Sequence, residues 1–415
     1  MTGPVLIVVD GLGSATPLEV IRAARNRYTI VFAIDDEADE SVTSLPLLQR
    51  LGPVIRGDGG KAHADALSAF DPDGIATFSE GRLPFAARLA EQLGLPFHRP
   101  ETVGLLTDKT RQRSALNAAG VSVTRMESVS EPAGLGGAAA RVGYPVIVKP
   151  AVGNSSRWAT GCQGPADVDR LVDAISGAPE VPARWIVEEL LPAGEHSYGD
   201  VLADMVSVES VVQDGEISHF AITDRLAVAP PFREHGLLLP TLLRPEEHGP
   251  ILDLTTAALT ALGVRLGVTH TEVKLTPGGP RIVEVNGRLG GWVGELMRRV
   301  TTVDPVAVVL DVAAGRPVDV SGIEFRTHAA VVLVQPPEGR HQVVEAADAG
   351  VFRALPGVWQ AWRRAMPGDV VDSRAGSLQA LYAVYAEADR TSMTDTLCRV
   401  ERIGREAAVL RSLDA

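Results

Sequence analysis

A chain of 415 residues is too long for a single hydrophobic core and calls for about two to four domains. Hydrophobic residues make up 45% and charged residues 22%, and the net charge of −13 argues against general nucleic-acid binding while leaving room for a local phosphate site. Two cysteines, Cys162 and Cys398, make neither a disulfide framework nor a zinc cluster. The apolar run at residues 5–9 is too short for a membrane span and follows no basic segment, so a cytoplasmic protein without a membrane partner is expected.

The first hundred residues alternate short apolar runs with helical stretches. Strands are expected at residues 5–9, 28–34, 54–56 and 74–78, and helices at 18–27 and 83–93, a pattern that predicts a parallel sheet with helices on its faces. Residues 95–100 read as a linker and 107–119 as a helix with Lys109, Arg111 and Arg113 near its start. From residue 121 to 191 the pattern is compact α+β, with strands at 144–149 and 185–189. Residues 201–227 alternate as antiparallel strands do, and 245–262 reads as a helix. After Gly315 the composition shifts, and strands at 327–334, 342–345 and 381–387 suggest a small terminal α+β domain.

The most informative stretch is Thr269-His-Thr-Glu-Val-Lys-Leu-Thr-Pro-Gly-Gly-Pro-Arg-Ile-Val-Glu-Val-Asn-Gly-Arg-Leu-Gly-Gly291. Two alternating runs flank Pro-Gly-Gly-Pro, the signature of an antiparallel hairpin. With the loop centred on Gly278, Glu272 lies opposite Glu284 and His270 opposite Asn286. Paired side chains have Cβ atoms roughly 5 Å apart, and two carboxylates there repel by an energy on the order of 3 kcal/mol at an effective dielectric of about 20. A cation between them removes that penalty. Asn286 projects from the same face as Glu284 and adds a neutral oxygen, and such hard donors suit Mg²⁺ beside substrate phosphates.

Three further segments bear on nucleotide binding. Gly11-Leu-Gly-Ser-Ala-Thr16 after the first strand, with Asp35 some way on, partly matches a dinucleotide fingerprint, although Thr16 stands where a third glycine is needed. Lys149 ends an apolar strand and is followed by Gly153-Asn-Ser-Ser156, whose backbone N–H groups and hydroxyls suit phosphate oxygens. Trp185-Ile-Val-Glu-Glu-Leu-Leu191 ends a strand in groups that fit an adenine edge and its faces, and Glu195 stands nearby for ribose hydroxyls.

Taken in order, Lys109, Val-Lys149-Pro with Gly-Asn-Ser-Ser, Glu188-Glu-Leu-Leu, His-Thr-Glu272 and Val-Glu284-Val-Asn286-Gly-Arg288-Leu-Gly-Gly resemble the ATP-grasp superfamily, and within it the L-amino-acid ligase branch. The resemblance implies an α/β and α+β multidomain ATP-grasp fold: an N-terminal Rossmann-like domain at 1–97, a connecting helix at 98–120, a lid at 121–191, a central antiparallel-sheet domain at 192–320 and a C-terminal α+β domain at 321–415. It also implies that Lys109 and Lys149 hold the α- and β-phosphates of ATP and that Ser155 and Ser156 lie in a loop over them. Glu188 and the backbone of Glu189, Leu190 and Leu191 would meet adenine, and Glu195 the ribose. Glu272, Glu284 and Asn286 would hold two Mg²⁺, with Mn²⁺ as an alternative, and Arg288 would contact the γ-phosphate and the charged intermediate. Arg225, Glu234 and His235, with His270, Gly290, Gly291 and Trp292, are the candidates for the substrate pocket.

The activity so implied is amide formation from a small-molecule carboxylate and an amine or peptide, through an acyl phosphate, by an enzyme that is a homodimer in many relatives. The alternatives are an ATP-grasp ligase that loads an unusual carboxylate onto a carrier protein and, in another class, an NAD-dependent oxidoreductase resting on Gly11–Thr16.

Overall fold

The computed structural model describes residues 3–37, 39–153, 156–177, 181–230 and 232–414. Ser155 lies outside them. The N-terminal region holds a four-stranded parallel sheet in the order Val54–Gly57, Thr29–Asp35, Val5–Val9, Gly74–Thr77. Its two inner strands are apolar and buried because helices cover both faces. The turn at Gly11–Thr16 is used for packing. A Cβ on Gly13 would lie 2.1 Å from the Phe78 carbonyl oxygen. Thr16 caps the helix Pro17–Ala24 in a reciprocal box with Glu19, and Asp35 is ion-paired with Arg82 at 3.4 Å. Gly13, Thr16 and Asp35 therefore each have a structural task.

The connection expected as one helix is two, Pro100–Thr107 and Lys109–Ala118. Asp108 separates them because its carboxylate accepts the Thr110 and Arg111 N–H groups at 3.0 and 3.2 Å, starting the second helix afresh. A four-stranded antiparallel sheet follows, ordered Met126–Val129, Trp185–Glu189, Val146–Pro150, Thr160–Cys162. Val146, Val148, Trp185 and Val187 bury one face of it against the helices Leu135–Val142 and Pro165–Ser176.

The central sheet has eight antiparallel strands, in the order Gly279–Asn286, Gly267–Thr276, Leu202–Gln213, Glu216–Leu226, Gly236–Leu239, His328–Val334, Tyr382–Ala388, Val358–Arg363. Its last three strands come from the region read as a separate terminal domain. The chain returns to this sheet because the strand Gly236–Leu239 has an edge to fill, and His328–Val334 pairs along it. Arg340–Ala346, Val370–Asp372 and Ala408–Ser412 form their own small sheet. Among the described residues no helix is long and apolar enough to cross a membrane.

Candidate active site

The hairpin Gly267–Thr276 and Gly279–Asn286 brings the acidic residues together. His270 pairs with Asn286 and Glu272 with Glu284, in the expected register. Past Glu272 a bulge shifts the register by one, so Val273 faces Ile282 and the turn tightens to Pro277-Gly278. The shift sets Val273 and Ile282, both fully buried, into the core under helix Pro245–Ala261. It leaves the facing carboxylates partly exposed, Glu272 at 23% and Glu284 at 16%.

Each carboxylate carries a basic side chain. Lys109 Nζ lies 2.7 Å from Glu284 Oε1 and donates to the Gly153 carbonyl at 2.6 Å. Arg225 Nη2 lies 2.8 Å from Glu272 Oε1. These pairs offset the repulsion that the register creates. Burial opposes ionisation of Glu272, but the Arg225 guanidinium beside it wins and holds its carboxyl well below the usual range. Burial likewise disfavours the Lys109 ammonium, and the nearby Glu284, Glu80 and Glu272 overcome it, raising its pKa.

Glu80, which sequence reasoning missed, enters the same cluster from the N-terminal region. It follows the parallel strand Gly74–Thr77, at the carboxyl end where open α/β sheets place their ligands. That position was the available signal. Its buried carboxylate lies 3.2 Å from Arg288 Nη2. Burial pushes its pKa up, Glu284 and Glu272 push the same way, and Arg288 and Lys109 push back. Arg288 is also 3.4 Å from the Asn286 side-chain oxygen.

A second buried cluster joins the lid to the connecting helix. Glu188 accepts from Arg113 Nε and Lys149 Nζ, both at 2.6 Å. Arg113 also donates to the carbonyls of Ile282 and Val283 at 2.9 and 3.0 Å, tying lid to hairpin. Glu188 was expected to meet adenine; here its two oxygens are engaged by Arg113 and Lys149. Burial raises its pKa, yet Lys149 and Arg113 bring it down to about 2. A depressed carboxyl adds stability above its unfolded pKa that is lost as pH falls through the folded one. From 4.5 to about 2 this amounts to about 3 kcal/mol. Urea midpoints of the wild type should therefore fall between pH 5 and 2.5. Glu188→Gln should be less stable at pH 7 and should flatten that slope. An identical slope in the variant would refute the depressed pKa.

The remaining expected residues divide. Glu189 turns to Arg125 at 2.9 Å and Arg281 at 3.7 Å, and its own N–H and that of Leu190 already donate to the Arg125 and Pro145 carbonyls. Leu191 is half-buried, Glu195 is exposed and Ser156 sits in an exposed turn. Glu234 is ion-paired with Arg225. His235 is not gathered into the cluster. Its ring nitrogen meets the Ala227 carbonyl at 3.1 Å, and burial lowers its pKa. Gly290 donates its N–H to Glu209 at 3.0 Å, and Gly291 borders open space. Trp292 adopts a left-handed backbone (φ +60°) before helix Val293–Val300 and packs half-buried on the largest core cluster.

Glu272, Glu284 and Asn286 offer two carboxylates and one amide oxygen, a donor set that fits Mg²⁺. Among the described residues no three His, Cys, Asp or Glu side chains gather closely enough to hold a metal by themselves. An ion here would take the rest of its shell from water and phosphate oxygens, as Mg²⁺ commonly does.

Residues 142–295, which span three of the four lid strands, the hairpin and Arg288, match the family described as ATP-grasp domain. The chain carries an ATP-grasp domain. Its whole length superposes on the crystal structure of an L-amino acid ligase from Bacillus licheniformis, with a TM-score of 0.75, 19% identity and full coverage of both chains, so the two share the fold. In sequence it is 27% identical to the uncharacterized protein y4rH of Sinorhizobium fredii over 79% of this chain and 66% of that one. It is 29% identical to the alanine–anticapsin ligase of Bacillus subtilis over 59% of this chain and 54% of the relative. The chain thus spans between half and two thirds of the length of these curated relatives. The similarity is in keeping with the amino-acid ligase branch.

Proposed function

We propose that the protein is an ATP-dependent carboxylate–amine ligase that forms an amide through an acyl phosphate and releases ADP and phosphate. The observation that carries this reading is the facing pair Glu272 and Glu284 with Arg288 at the end of the same hairpin. A nucleotide-binding module without chemistry has no need of two opposed acids and a cation together.

A carboxylate resists an amine because its carbonyl is electron-rich and oxide is a poor leaving group. In the proposed reaction a carboxylate oxygen attacks the γ-phosphorus, the bond to the β-γ bridging oxygen breaks, and ADP departs. Lys149, held rigid by Glu188, and Lys109 neutralise phosphate charge in that step. Two Mg²⁺ held by Glu272, Glu284 and Asn286 would supply Lewis-acid stabilisation of the transferring phosphoryl group. The amine nitrogen then attacks the acyl carbon. Arg288 stabilises the tetrahedral oxyanion, the carbon–oxygen bond to phosphate breaks, and the nitrogen gives up its proton. Arg225, beside Glu234 and Glu272, is placed to bind a substrate carboxylate once these partners are drawn to other ligands. The acid is an amino acid or related carboxylic acid, and the amine an amino acid, a peptide or another small amine.

The test is nucleotide turnover with a panel of amino acids. Release of ADP and phosphate should require an acid and an amine together, with the amide found by mass spectrometry. Release of AMP and pyrophosphate would replace the acyl phosphate by an adenylate and overturn this mechanism.

A further inference from the structure

Glu209 lies on the central strand Leu202–Gln213, directly across from His270, and is completely buried. A carboxylate so placed is costly unless every oxygen finds a donor. Glu209 Oε2 accepts the Gly290 N–H at 3.0 Å, and Oε1 is hydrogen-bonded to His270 Nδ1. The other ring nitrogen, Nε2, lies 2.9 Å from Arg225 Nη2. Arg225 in turn reaches Glu272 at 2.8 Å and the Ser207 hydroxyl at 3.0 Å.

The donor inventory fixes the direction of this chain. A guanidinium has only donors, so His270 Nε2 must accept from it. The ring proton then sits on Nδ1 and needs an acceptor, which Glu209 provides. The same carboxylate takes the Gly290 amide, two residues beyond Arg288. A Cβ at position 290 would come within 2.5 Å of both Glu209 Oε1 and His270 Nδ1, so only glycine lets the loop approach this closely.

We propose that Glu209 is a positioning residue of the active site: by fixing the His270 tautomer it orients Arg225, and by holding the Gly290 amide it sets the loop that follows Arg288. This deepens the ligase reading and rests on it for its kinetic consequence, while the hydrogen-bond relay stands on the geometry alone. Supporting groups of this kind are typically worth on the order of 10–100-fold in activity.

Glu209→Gln tests the relay at constant shape. An amide has one acceptor oxygen and one donor nitrogen, so it cannot accept from both Gly290 and His270. With its oxygen kept on Gly290, its nitrogen meets Nδ1 and moves the ring proton to Nε2, against the Arg225 donor. Long-range ¹H–¹⁵N spectra at pH 8.5, assigned with a His270→Gln sample, should show Nδ1–H in the wild type and Nε2–H in E209Q. In the ligase assay kcat/KM for the acid and the amine should fall about 10–100-fold while KM for ATP stays within about twofold. A packing role alone would not exchange the tautomer.

Retention of Nδ1–H in E209Q, or kcat/KM within about twofold of wild type, overturns the proposal. The wild-type spectrum needs no variant. An Nε2–H or doubly protonated His270 there overturns the relay even if E209Q does not fold. If the wild type forms no amide, the ligase reading fails, and the spectra still decide whether the relay exists.

Discussion

Replacing Glu284 by glutamine is expected to slow metal-dependent ATP turnover by about a hundredfold or more and to leave the fold intact. The substitution keeps the volume, and the side chain is 16% exposed rather than part of the apolar core. What changes is charge. One of two facing carboxylates becomes neutral, so the site loses half of the negative charge that the hairpin register concentrates there. Lewis-acid stabilisation of phosphoryl transfer is worth several kcal/mol, and each 1.36 kcal/mol is tenfold in rate. The loss of about 3 kcal/mol therefore corresponds to roughly a hundredfold. Lys109 also loses its 2.7 Å partner. Phosphate release measured across Mg²⁺ concentrations should show half-saturation moved well upward in Glu284→Gln. An unchanged Mg²⁺ profile would remove Glu284 from the metal site and take the facing-carboxylate argument with it.

Arg288→Ala should reduce amide formation by about 10²–10³-fold, the usual loss when one preorganised donor to an oxyanion is deleted. Its effect on ADP affinity should be only a few-fold, since the cations on Glu188 and Glu284 are untouched. The fold should tolerate the change. Glu80 loses its 3.2 Å partner, but burial already pushes its pKa upward. It can become neutral rather than remain an unpaired buried charge. Product formation by mass spectrometry and ADP binding by calorimetry separate the two effects. Parallel loss of both would move Arg288 from the reacting centre to nucleotide binding.

Features with strong local signals were legible in the sequence. The strand Val5–Val9 is a continuous apolar run, and the helix Leu83–Leu93 repeats its apolar residues at helical spacing. The helices Asp39–Leu51 and Lys61–Ser68 have no such signal. One contains Pro46, and the other is only 8 residues long with histidine among its buried positions. The break at Asp108 was hidden because two short helices in succession resemble the start of one longer helix. The strands after residue 320 were visible as strands, but alternation says only that one face is buried. It does not say which sheet supplies the partner.

The sequence by itself determined the hairpin: alternation of period two around a Pro-Gly-Gly-Pro turn brings Glu272 near Glu284 and His270 near Asn286, while the bulge past Glu272 sets the final pairing. It likewise determined that Lys149 lies near the end of a strand, Val146–Pro150. Only the tertiary structure decided that Glu80 meets Arg288 across 208 residues, that Glu188 belongs to Lys149 and Arg113, and that Glu209 sits under His270 and Gly290. Strand period and turn type act over a few residues and are written in local order. The company a buried charge keeps depends on which sheets and helices close over it, and that is settled only when distant parts of the chain pack together.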